Sequence, residues 1–458
     1  MKFVILLFLG ACAFGQVVYP LKESTNHRYL VDQNNQPFLL VGDSPQSLIG
    51  VLSEASATAY FADRSAHGFN AVWINLLCDS YTFCNANGTT FDGIQPFTSG
   101  TGPSNYDLST PSPAYFSRID DMVNLAGESG LTVFLDPIET GGWLQTLEAN
   151  GATKAFNYGA FLGTRYKSFP NIVWLSGNDF QDWSTSSLDN NLVKQVMAGI
   201  ASTDSAHLQT IELDYLRSYS SQDTTLTSLL NLNQVYTYYD TYDYVLAAYN
   251  ASPALPVFLG EANYEGENLG GTDGGSVGNL RKQEYWTLLC GATGQLYGNF
   301  QTDRTDWTSL SQIDSTGVTQ LGYVTSLFRS IAWWNLVPDQ THQIITSGYG
   351  TYRGSATDLH NSTYATTAWI TNGSVSITFT PVSTTLTVNL SKFNGPIVAR
   401  WMDPTNGVFT TVIGSPFPNA GRMNLVTPGN NNEGSSDWVL VLTTQTLAPP
   451  TNLTATPN

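Results

Sequence analysis

Runs of consecutive apolar residues that end abruptly at polar or acidic residues recur along the first part of the chain. The clearest lies in Asn171–Phe180, where four apolar residues lead through Ser-Gly to Asn178 and Asp179. Val257–Glu265 has the same build, with Glu261 at the end of its apolar run. Such runs, bounded by turn residues, are typical of strands buried on both faces of a parallel sheet. The pattern predicts two buried strands, each with an acid at its carboxyl end.

Eight apolar runs of this kind alternate with segments of helical periodicity. The predicted strands start near Phe38, Ala71, Leu131, Asn171, Gln209, Gln234, Val257 and Gln295, and the fifth extends over Gln209–Tyr215. The predicted helices include Ser53–His67, one opening at Pro113, Asn157–Phe169, Ser187–Ser202, Arg281–Ala292 and Leu321–Trp334. Strands alternating with helices indicate a parallel α/β fold, and eight units predict a (β/α)₈ TIM barrel. A doubly wound open sheet is the alternative, but no Gly-rich phosphate-binding turn follows the first strand.

The pattern changes after Pro338, where short β-type runs replace the strand–helix alternation. Asn372-Gly373 and Asn406-Gly407 lie between such runs, and Asn-Gly is a strong two-residue hairpin turn. We therefore expect a small all-β domain, an antiparallel sandwich or barrel, after the α/β barrel. The predicted domains are a leader at 1–16, the barrel at 17–337, the sandwich at 338–446 and a Pro/Thr-rich tail at 447–458.

The first 16 residues have the pattern of a secretory signal. Lys2 precedes an apolar core from Phe3 to Leu9, and small residues follow it. Cleavage after Ala13 or Gly15 would release the mature chain, whereas a lipoprotein-type sequence at Leu9-Gly10-Ala11-Cys12 would leave a lipid anchor on Cys12. Both alternatives predict a secreted, periplasmic or surface-anchored protein. No other stretch is long and apolar enough to predict a membrane span.

Composition narrows the classes of function. Charged residues make up only 12% of the chain, the formal net charge is −18, and there are 11 Trp and 23 Tyr. Nucleic-acid binding is a poor fit, because that affinity depends on many Lys and Arg contacts to phosphate. Abundant aromatic and neutral polar residues suit a protein that handles oligo- or polysaccharides. We expect no metal or cofactor, because neither HExxH nor a P-loop occurs, and we expect a monomer.

Two smaller sequence features have limited implications. Cys78 and Cys84 lie close together in one predicted loop and are candidates for a disulfide in an oxidising compartment. Residues 274–278 match G-x-S-x-G, but they lie in a Gly-rich loop instead of a strand-to-helix turn, so a serine hydrolase is not indicated.

Polar residues at the predicted strand ends form the candidate site, because a barrel brings the carboxyl ends of its strands to one face. They are Asp43, Asn75, Asp136, Asn178, Asp179, Asp214, Tyr238, Asp240, Glu261, Tyr297 and Asn299. Asp179 and Glu261 are the strongest candidates, since both follow long buried strands. A carboxylate pair with many aromatic residues indicates glycoside hydrolysis. We expect Asn178 to bond a sugar hydroxyl, and the candidate stacking residues include Trp143, Tyr238, Tyr264 and Trp307.

Several short motifs in order give the chain a family resemblance. PFLLVGDS, YFADRSAHGFNAVWINLL, NIVWLSGND, LGEANYEG, KQEYWTLLCGATGQLYGN, WWNLVPD and ARWMDPTNG span most of Phe38–Leu442. The chain resembles the apiosidase-like glycoside hydrolases (glycoside hydrolase family 140 and relatives), whose members often carry a C-terminal domain named for collagen binding. The resemblance implies a (β/α)₈ barrel that cleaves a glycosidic bond, in the characterised case that of apiose in a pectic polysaccharide.

The resemblance also implies roles for individual residues. Asp179 looks like the acid/base and Glu261 like the nucleophile of a retaining enzyme, while Asp43 and Tyr264 fall in motifs expected near the sugar. The first motif departs from the family pattern, since Gly-Asp-Ser-Pro-Gln46 stands where GDTAW is common. The resemblance therefore leaves the identity of the bound sugar open. The rival hypothesis is a noncatalytic carbohydrate- or matrix-binding protein on a barrel scaffold.

Overall fold

The fold is described by a computed structural model covering residues 17–267, 274–305, 307, 309–354 and 361–444. The predicted leader with Cys12, and the predicted tail at 447–458, lie outside the described residues. The described chain opens with a small antiparallel sheet of three strands: β1 (Lys22–Glu23), β2 (Leu30–Val31) and β3 (Pro37–Phe38).

A curled sheet of nine strands forms the barrel. Its parallel strands are β4 (Leu40–Asp43), β5 (Ala71–Asn75), β6 (Thr132–Asp136), β7 (Ile172–Ser176), β8 (Gln209–Ile211), β10 (Asn233–Thr237), β11 (Val257–Glu261) and β12 (Gly294–Tyr297). The ninth, β9 (Arg217–Tyr219), pairs antiparallel with β10, and the order is β8-β7-β6-β5-β4-β12-β11-β10-β9. The predicted (β/α)₈ class is confirmed, with all eight predicted strands present.

Side-chain hydrogen bonds connect β8 and β10, the first and last parallel strands in the order of the sheet. The Ser220 hydroxyl donates to the carbonyl of Ile211 in β8 at 2.6 Å and accepts from the backbone N–H of Gln234 in β10 at 2.9 Å. The Thr210 hydroxyl donates to the Leu232 carbonyl at 3.1 Å. These bonds hold β8 beside β10 where no strand ladder runs directly between them.

Large apolar side chains fill the barrel interior. Trp73, Phe134 and Phe258 pack there with the smaller side chains of neighbouring strands, and Leu30 and Phe38 of the first sheet belong to the same cluster. The small sheet therefore closes the amino-terminal end of the barrel, and the carboxyl ends of the strands remain the open face.

Nine α-helices are present among the described residues: α1 (Leu48–Val51), α2 (Glu54–Ala66), α3 (Pro113–Glu128), α4 (Thr140–Tyr166), α5 (Ser187–Thr203), α6 (Thr241–Tyr249), α7 (Val277–Leu289), α8 (Phe300–Arg304) and α9 (Thr316–Arg329). Local sequence explains several starts. The Ser53 hydroxyl caps α2 by accepting from the Ser56 N–H at 3.2 Å, and Pro113 stands at the first turn of α3, as the sequence predicts.

Several predicted boundaries are wrong, including both ends of α9, which the sequence predicts at Leu321–Trp334 and which spans Thr316–Arg329. Helix α4 begins 17 residues before the predicted Asn157, across a local break at Gly151 where φ is 72°. It packs closely on α5, where a Cβ at Gly159 would lie 2.1 Å from the Val196 carbonyl oxygen, so tertiary packing supports a helix that its glycines disfavour. Strand β8 ends at Ile211, well before the predicted Tyr215.

The C-terminal part is an antiparallel sandwich of two sheets, as predicted. One contains β13 (Leu336–Pro338), β15 (Thr366–Ile370), β16 (Val375–Thr380), β21 (Trp438–Thr443), β18 (Val398–Met402) and β19 (Phe409–Thr411), in that order. The other contains β14 (Ile345–Ser347), β17 (Thr385–Asn389) and β20 (Arg422–Val426). The glycines of both Asn-Gly turns, Gly373 and Gly407, have positive φ.

The sandwich packs against helix α7 of the barrel. Tyr285 stacks on Phe379 with ring centroids 4.8 Å apart, and the Trp286 indole donates to the Tyr364 carbonyl at 3.2 Å. One apolar cluster contains side chains from both parts. None of the helices among the described residues has the length and apolar character needed to cross a bilayer.

Candidate active site

The turn after β7 has an unusual backbone. Gly177, Asn178 and Asp179 all have positive φ, at 107°, 58° and 58°. Asn and Asp tolerate this left-handed region better than most residues. At Gly177 a Cβ would lie 2.1 Å from the carbonyl oxygen of Glu212, so only glycine fits against the neighbouring strand. Backbone in this sparsely populated region is common where a site fixes side-chain positions.

Asp179 is held by two neighbours. Its Oδ2 accepts a hydrogen bond of 2.5 Å from the Tyr81 hydroxyl, and its backbone N–H donates to Oε2 of Glu212 at 3.2 Å. Its Oδ1 is buried and has no partner among the described residues. Burial raises the pKa of Asp179, while the hydrogen bond from Tyr81 opposes that rise.

Glu261 lies at the end of β11 and is 6% exposed. Its Oε1 accepts from the Tyr238 hydroxyl at 3.1 Å, and its Oε2 accepts from Nε2 of Gln46 at 3.4 Å. Burial raises the pKa of Glu261 well above its ordinary value, and the charge of Asp179 raises that pKa further. The two carboxyls therefore interact electrostatically, as expected for acids that share one cleft.

Gln46 connects Glu261 to Asn178, the residue directly before Asp179. Its Oε1 accepts from Nδ2 of Asn178 at 2.8 Å, while its Nε2 donates to the Tyr264 hydroxyl at 3.0 Å and to Glu261. Because Asn178 occupies the oxygen, the amide nitrogen is directed toward β11. The bridge thus runs from the residue preceding Asp179 to Glu261 across the open end of the barrel.

Asp43 is fully buried beside this bridge. It accepts from the Tyr60 hydroxyl at 2.8 Å and lies 3.6 Å from the Arg64 guanidinium. Burial raises the pKa of Asp43, and the charge of Arg64 opposes the rise. Trp307 stacks on Tyr60, with centroids 6.0 Å apart and an interplanar angle of 22°. This cluster forms the β4 side of the candidate site.

Asn75 and Asp136 end the adjacent strands β5 and β6, and both are fully buried. Asn75 donates to the Thr82 hydroxyl at 3.4 Å, and the same hydroxyl donates to Glu139 at 3.1 Å. Burial raises the pKa values of Asp136 and Glu139 well above the ordinary carboxyl range. These residues form a buried polar layer at the strand ends.

Tyr264 and Tyr297 have different surroundings. The Tyr264 ring lies against Gly298, where a Cβ would approach the ring to 1.3 Å, and its hydroxyl reaches Gln46. The Tyr297 hydroxyl instead donates to Glu265, and its ring packs near Phe69. Tyr264 therefore belongs to the hydrogen-bonded bridge to Glu261, whereas Tyr297 orients the loop after β11.

Possible metal ligands cluster elsewhere. In the described part of the chain, only Asp63, His67 and Asp314 bring three donor atoms within 4.8 Å of one another. Arg64 already donates to Asp63 at 2.5 Å and to Asp314 at 2.6 Å. A guanidinium therefore supplies the positive charge at that cluster.

A sequence profile described as "Apiosidase-like, catalytic domain" matches residues 24–335. The chain belongs to the apiosidase-like family. The protein is therefore a glycoside hydrolase. A second profile, "Putative collagen-binding domain of a collagenase", matches residues 356–443, within the sandwich. No curated protein matches the chain.

Solved structures share the fold of the apiosidase-like domain and its sandwich. A protein titled "Glycoside hydrolase" is 20% identical, with a TM-score of 0.77 over 92% of this chain and 96% of its own. A glycoside hydrolase family 5 protein from Bacteroides vulgatus is 19% identical, with a TM-score of 0.77 over 92% of this chain and 93% of its own. At these identities the likeness establishes the two-part architecture alone.

The structure corrects one site prediction in the apiosidase-like domain, that of Trp143. Trp143 has no exposed surface, because it stacks on Tyr106 at 5.8 Å inside the helix layer, so it offers no ring face to a sugar. Asp214 lies in the segment after β8, as Asp179 lies in the turn after β7, and its charge raises the pKa of Asp179. The Asp214 carboxylate accepts from the Trp183 indole at 2.7 Å, and Glu212 occupies the buried position after β8.

The other predicted positions have defined partners. Asn178 and Tyr238 lie in the hydrogen-bonded group around Glu261. Asp240 lies outside this group and forms an ion pair of 3.0 Å with Arg353. Cys78 and Cys84 form a disulfide that closes the loop carrying Tyr81.

Sequence reasoning missed three residues of the site. Glu212 had a usable signal, since it is the first acid after the apolar end of β8, as Glu261 is for β11. Tyr81 had no sequence signal, because it lies on a loop whose course is set by tertiary contacts. Gln46 also lies on such a loop, and its one sequence signal is the departure from the family's first motif.

Proposed function

We propose that the protein is a secreted, retaining glycoside hydrolase in which Asp179 is the acid/base and Glu261 is the nucleophile. The observation that carries the proposal is the hydrogen-bonded connection Asn178–Gln46–Glu261, which joins the buried Glu261 to the residue directly before the partly buried Asp179. Burial raises the pKa values of both acids, and the charge of Asp179 raises that of Glu261 further, which keeps a proton available near neutral pH.

The proposed reaction has two steps. Asp179 donates its proton to the glycosidic oxygen while a carboxylate oxygen of Glu261 attacks the anomeric carbon, so that the C–O bond to the leaving group breaks and a glycosyl ester forms. Asp179, now ionised, then takes a proton from water as that water attacks the same carbon. Glu261 leaves as a carboxylate, and both groups return to their starting states.

The surrounding donors offset part of the burial that raises the pKa of Glu261. Glu261 accepts from Tyr238 and Gln46, and further side-chain bonds from Tyr236 and Tyr264 lower its pKa against the effect of burial. Several donors directed at one carboxylate stabilise the anion that a nucleophile requires. Asp179, with an unpartnered buried Oδ1, has an oxygen free for the leaving group.

We further propose a plant-type glycan as the substrate, with a pectic, apiose-containing chain as the first candidate. The support is family membership together with the aromatic and amide side chains near Glu261. Export is supported by the signal-like sequence of the first 16 residues and by the Cys78–Cys84 disulfide, which is stable in an oxidising compartment.

The test compares the wild type with Glu261→Gln on rhamnogalacturonan-rich pectin and a panel of aryl glycosides. We expect sugar release by the wild type and a loss of about a thousandfold or more in the variant, since the nucleophile is removed. Glu54→Gln, at an exposed acid on α2, is the matched control and should retain full activity.

Two outcomes would contradict parts of the proposal. Equal release by wild type and Glu261→Gln would place the nucleophile elsewhere. Proton NMR of the first-formed sugar from an active substrate reads the anomeric configuration, and an inverted product would exclude the retaining mechanism. Binding of glycans without release of any sugar would favour the noncatalytic alternative.

A further inference from the structure

A pocket lies at the opposite end of the barrel from Glu261. It encloses about 250 Å³. One wall is formed by Arg28 and Tyr29 of the first sheet, another by Tyr249 after α6, and a third by Trp334 and Asn335 at the start of the sandwich. Pockets at such junctions between domains are preferred places for ligands.

The pocket is lined by aromatic rings at different angles. Trp333 and Trp334 are perpendicular, at 89° and 6.1 Å between centroids, and Tyr29 meets Trp333 at 74°. Trp333 is almost fully buried, whereas Trp334 and Tyr29 keep part of their surfaces open. The open ring surfaces suit the flat C–H face of a sugar ring, which is apolar on one side and hydroxylated at its edge.

Arg28 gives the pocket a localised positive charge. Its Nη1 donates to the Tyr249 carbonyl, and its guanidinium lies 4.1 Å from the centroid of the Tyr249 ring. No described carboxylate forms an ion pair with Arg28, although the chain has 36 acidic and only 18 basic residues. The Tyr249 contacts fix the guanidinium and leave its other N–H groups without a described partner.

We propose that this pocket is a binding site for a hexuronate unit of an acidic polysaccharide, separate from the catalytic face. The planar guanidinium of Arg28 matches the two oxygens of a uronate carboxylate. Trp334 and Tyr29 pack against the ring, and Asn335, exposed at the rim, bonds hydroxyls. The site would hold a polymer on the enzyme while the cleft at Glu261 acts on another part of it.

The test is calorimetric titration of the full chain with trigalacturonate, in the Glu261→Gln background so that no turnover occurs. We expect Arg28→Gln and Trp334→Ala each to weaken binding by about tenfold or more, because a charge-assisted bond or a ring contact is lost. Arg400→Gln is the matched control. Its guanidinium also stacks on an aromatic ring, Phe409 at 4.6 Å, but in the sandwich.

Each outcome decides the proposal. Failure of trigalacturonate to bind, or equal effects of Arg28→Gln and Arg400→Gln, would overturn it, as would equally tight binding of the neutral galactotriose. If circular dichroism shows that Trp334→Ala does not fold, Arg28→Lys takes its place in the comparison. The lysine keeps the positive charge and removes the paired N–H donors of the guanidinium. The measurement does not depend on hydrolysis, and Arg28→Gln should leave aryl glycoside cleavage unchanged, so failure here is distinct from failure of the catalytic proposal.

Discussion

A single carboxamide, that of Gln46, links the two strands that carry the candidate acids. We expect Gln46→Leu to lower kcat/KM by about tenfold to a hundredfold, because one donor to Glu261 is lost and Asn178 loses its acceptor. Donors to a carboxylate lower its pKa, so their removal raises the pKa of Glu261. The acidic limb of the pH–rate profile, below which Glu261 is protonated, should therefore move to higher pH.

Gln145→Leu is the control for Gln46→Leu, since Gln145 is exposed and makes only a 3.4 Å bond within its own helix. The measurement is kcat/KM against pH for both variants. An unshifted acidic limb in Gln46→Leu would show that the bridge supports the fold without tuning Glu261.

The proposed role of Asp179 predicts a dependence on the leaving group. Asp179→Asn should slow cleavage of natural glycosidic bonds by about 10²–10⁴-fold, the usual contribution of general acid catalysis. With dinitrophenyl glycosides, whose leaving group needs no proton, the rate of the first step should fall much less. Burst kinetics would then reveal an accumulating intermediate.

The pH profile provides a second measurement of the same residue. Because burial raises the pKa of Asp179, the wild type should lose activity on the basic side only above the ordinary Asp range. Asp179→Asn cannot lose that proton, so its basic limb should disappear. Persistence of the limb in the variant would assign it to another group.

Residue by residue, the sequence predicts what lies at the end of a clear apolar run. Asp43, Asp136 and Glu261 are the last residues of their strands, and Asp179 lies in the turn that follows β7. Where the apolar run is short, as in β8, the sequence predicts Asp214 as the strand-end acid and does not identify Glu212. Partners such as Tyr81 come from loops, and no periodicity describes their path.

The loop closed by Cys78 and Cys84 is the element that delivers Tyr81 to Asp179. Asp79 caps the short 3₁₀ turn by accepting from the Tyr81 N–H at 2.8 Å, and Gly141 leaves room for the ring, since a Cβ there would lie 2.1 Å from it. The disulfide and the turn together restrict where the hydroxyl can point.

Opening the disulfide should therefore affect both stability and rate. Cys84→Ser should lower the free energy of unfolding by about 2 kcal/mol, as the loop-entropy relation gives for so short a loop. It should also lower kcat. Tyr81→Phe should lower kcat without that loss of stability, because only the bond to Asp179 is removed. Thermal unfolding and kcat measured on both variants separate the two effects, and an unchanged kcat in both would remove Tyr81 from the mechanism.

At the scale of elements, periodicity located strands better than helices. Each barrel strand is a compact apolar run. The first half of α4 contains Gly141, Gly142 and Gly151, whose low helix propensity hides the helix from a sequence-based prediction. Its stability comes from close packing on α5, at Gly159 and Gly199, where any side chain would collide with backbone. Such pairing depends on two distant segments and cannot be read from either one alone.

The whole molecule is held together across the junction between barrel and sandwich. The change of pattern after Pro338 predicts two parts, and the structure adds that they share an apolar cluster. Arg281 of α7 is 1% exposed and donates to Asp437 at 2.8 Å and to Glu433 at 3.0 Å in the sandwich. A buried ion pair at this position couples the stability of the two parts.

Arg281→Met should lower the free energy of unfolding by about 3–5 kcal/mol, because Asp437 remains buried without its counter-charge. Replacing both partners, in Arg281→Met with Asp437→Leu, should recover much of that loss, since no uncompensated charge is left. Arg165→Met, at the partly exposed pair with Asp120, is the control and should cost about 1 kcal/mol or less. Calorimetry of the single variant should resolve separate transitions for barrel and sandwich where the wild type shows one. A single transition with unchanged midpoint would mean that the apolar contacts of Tyr285 and Trp286 couple the two parts without help from the ion pair.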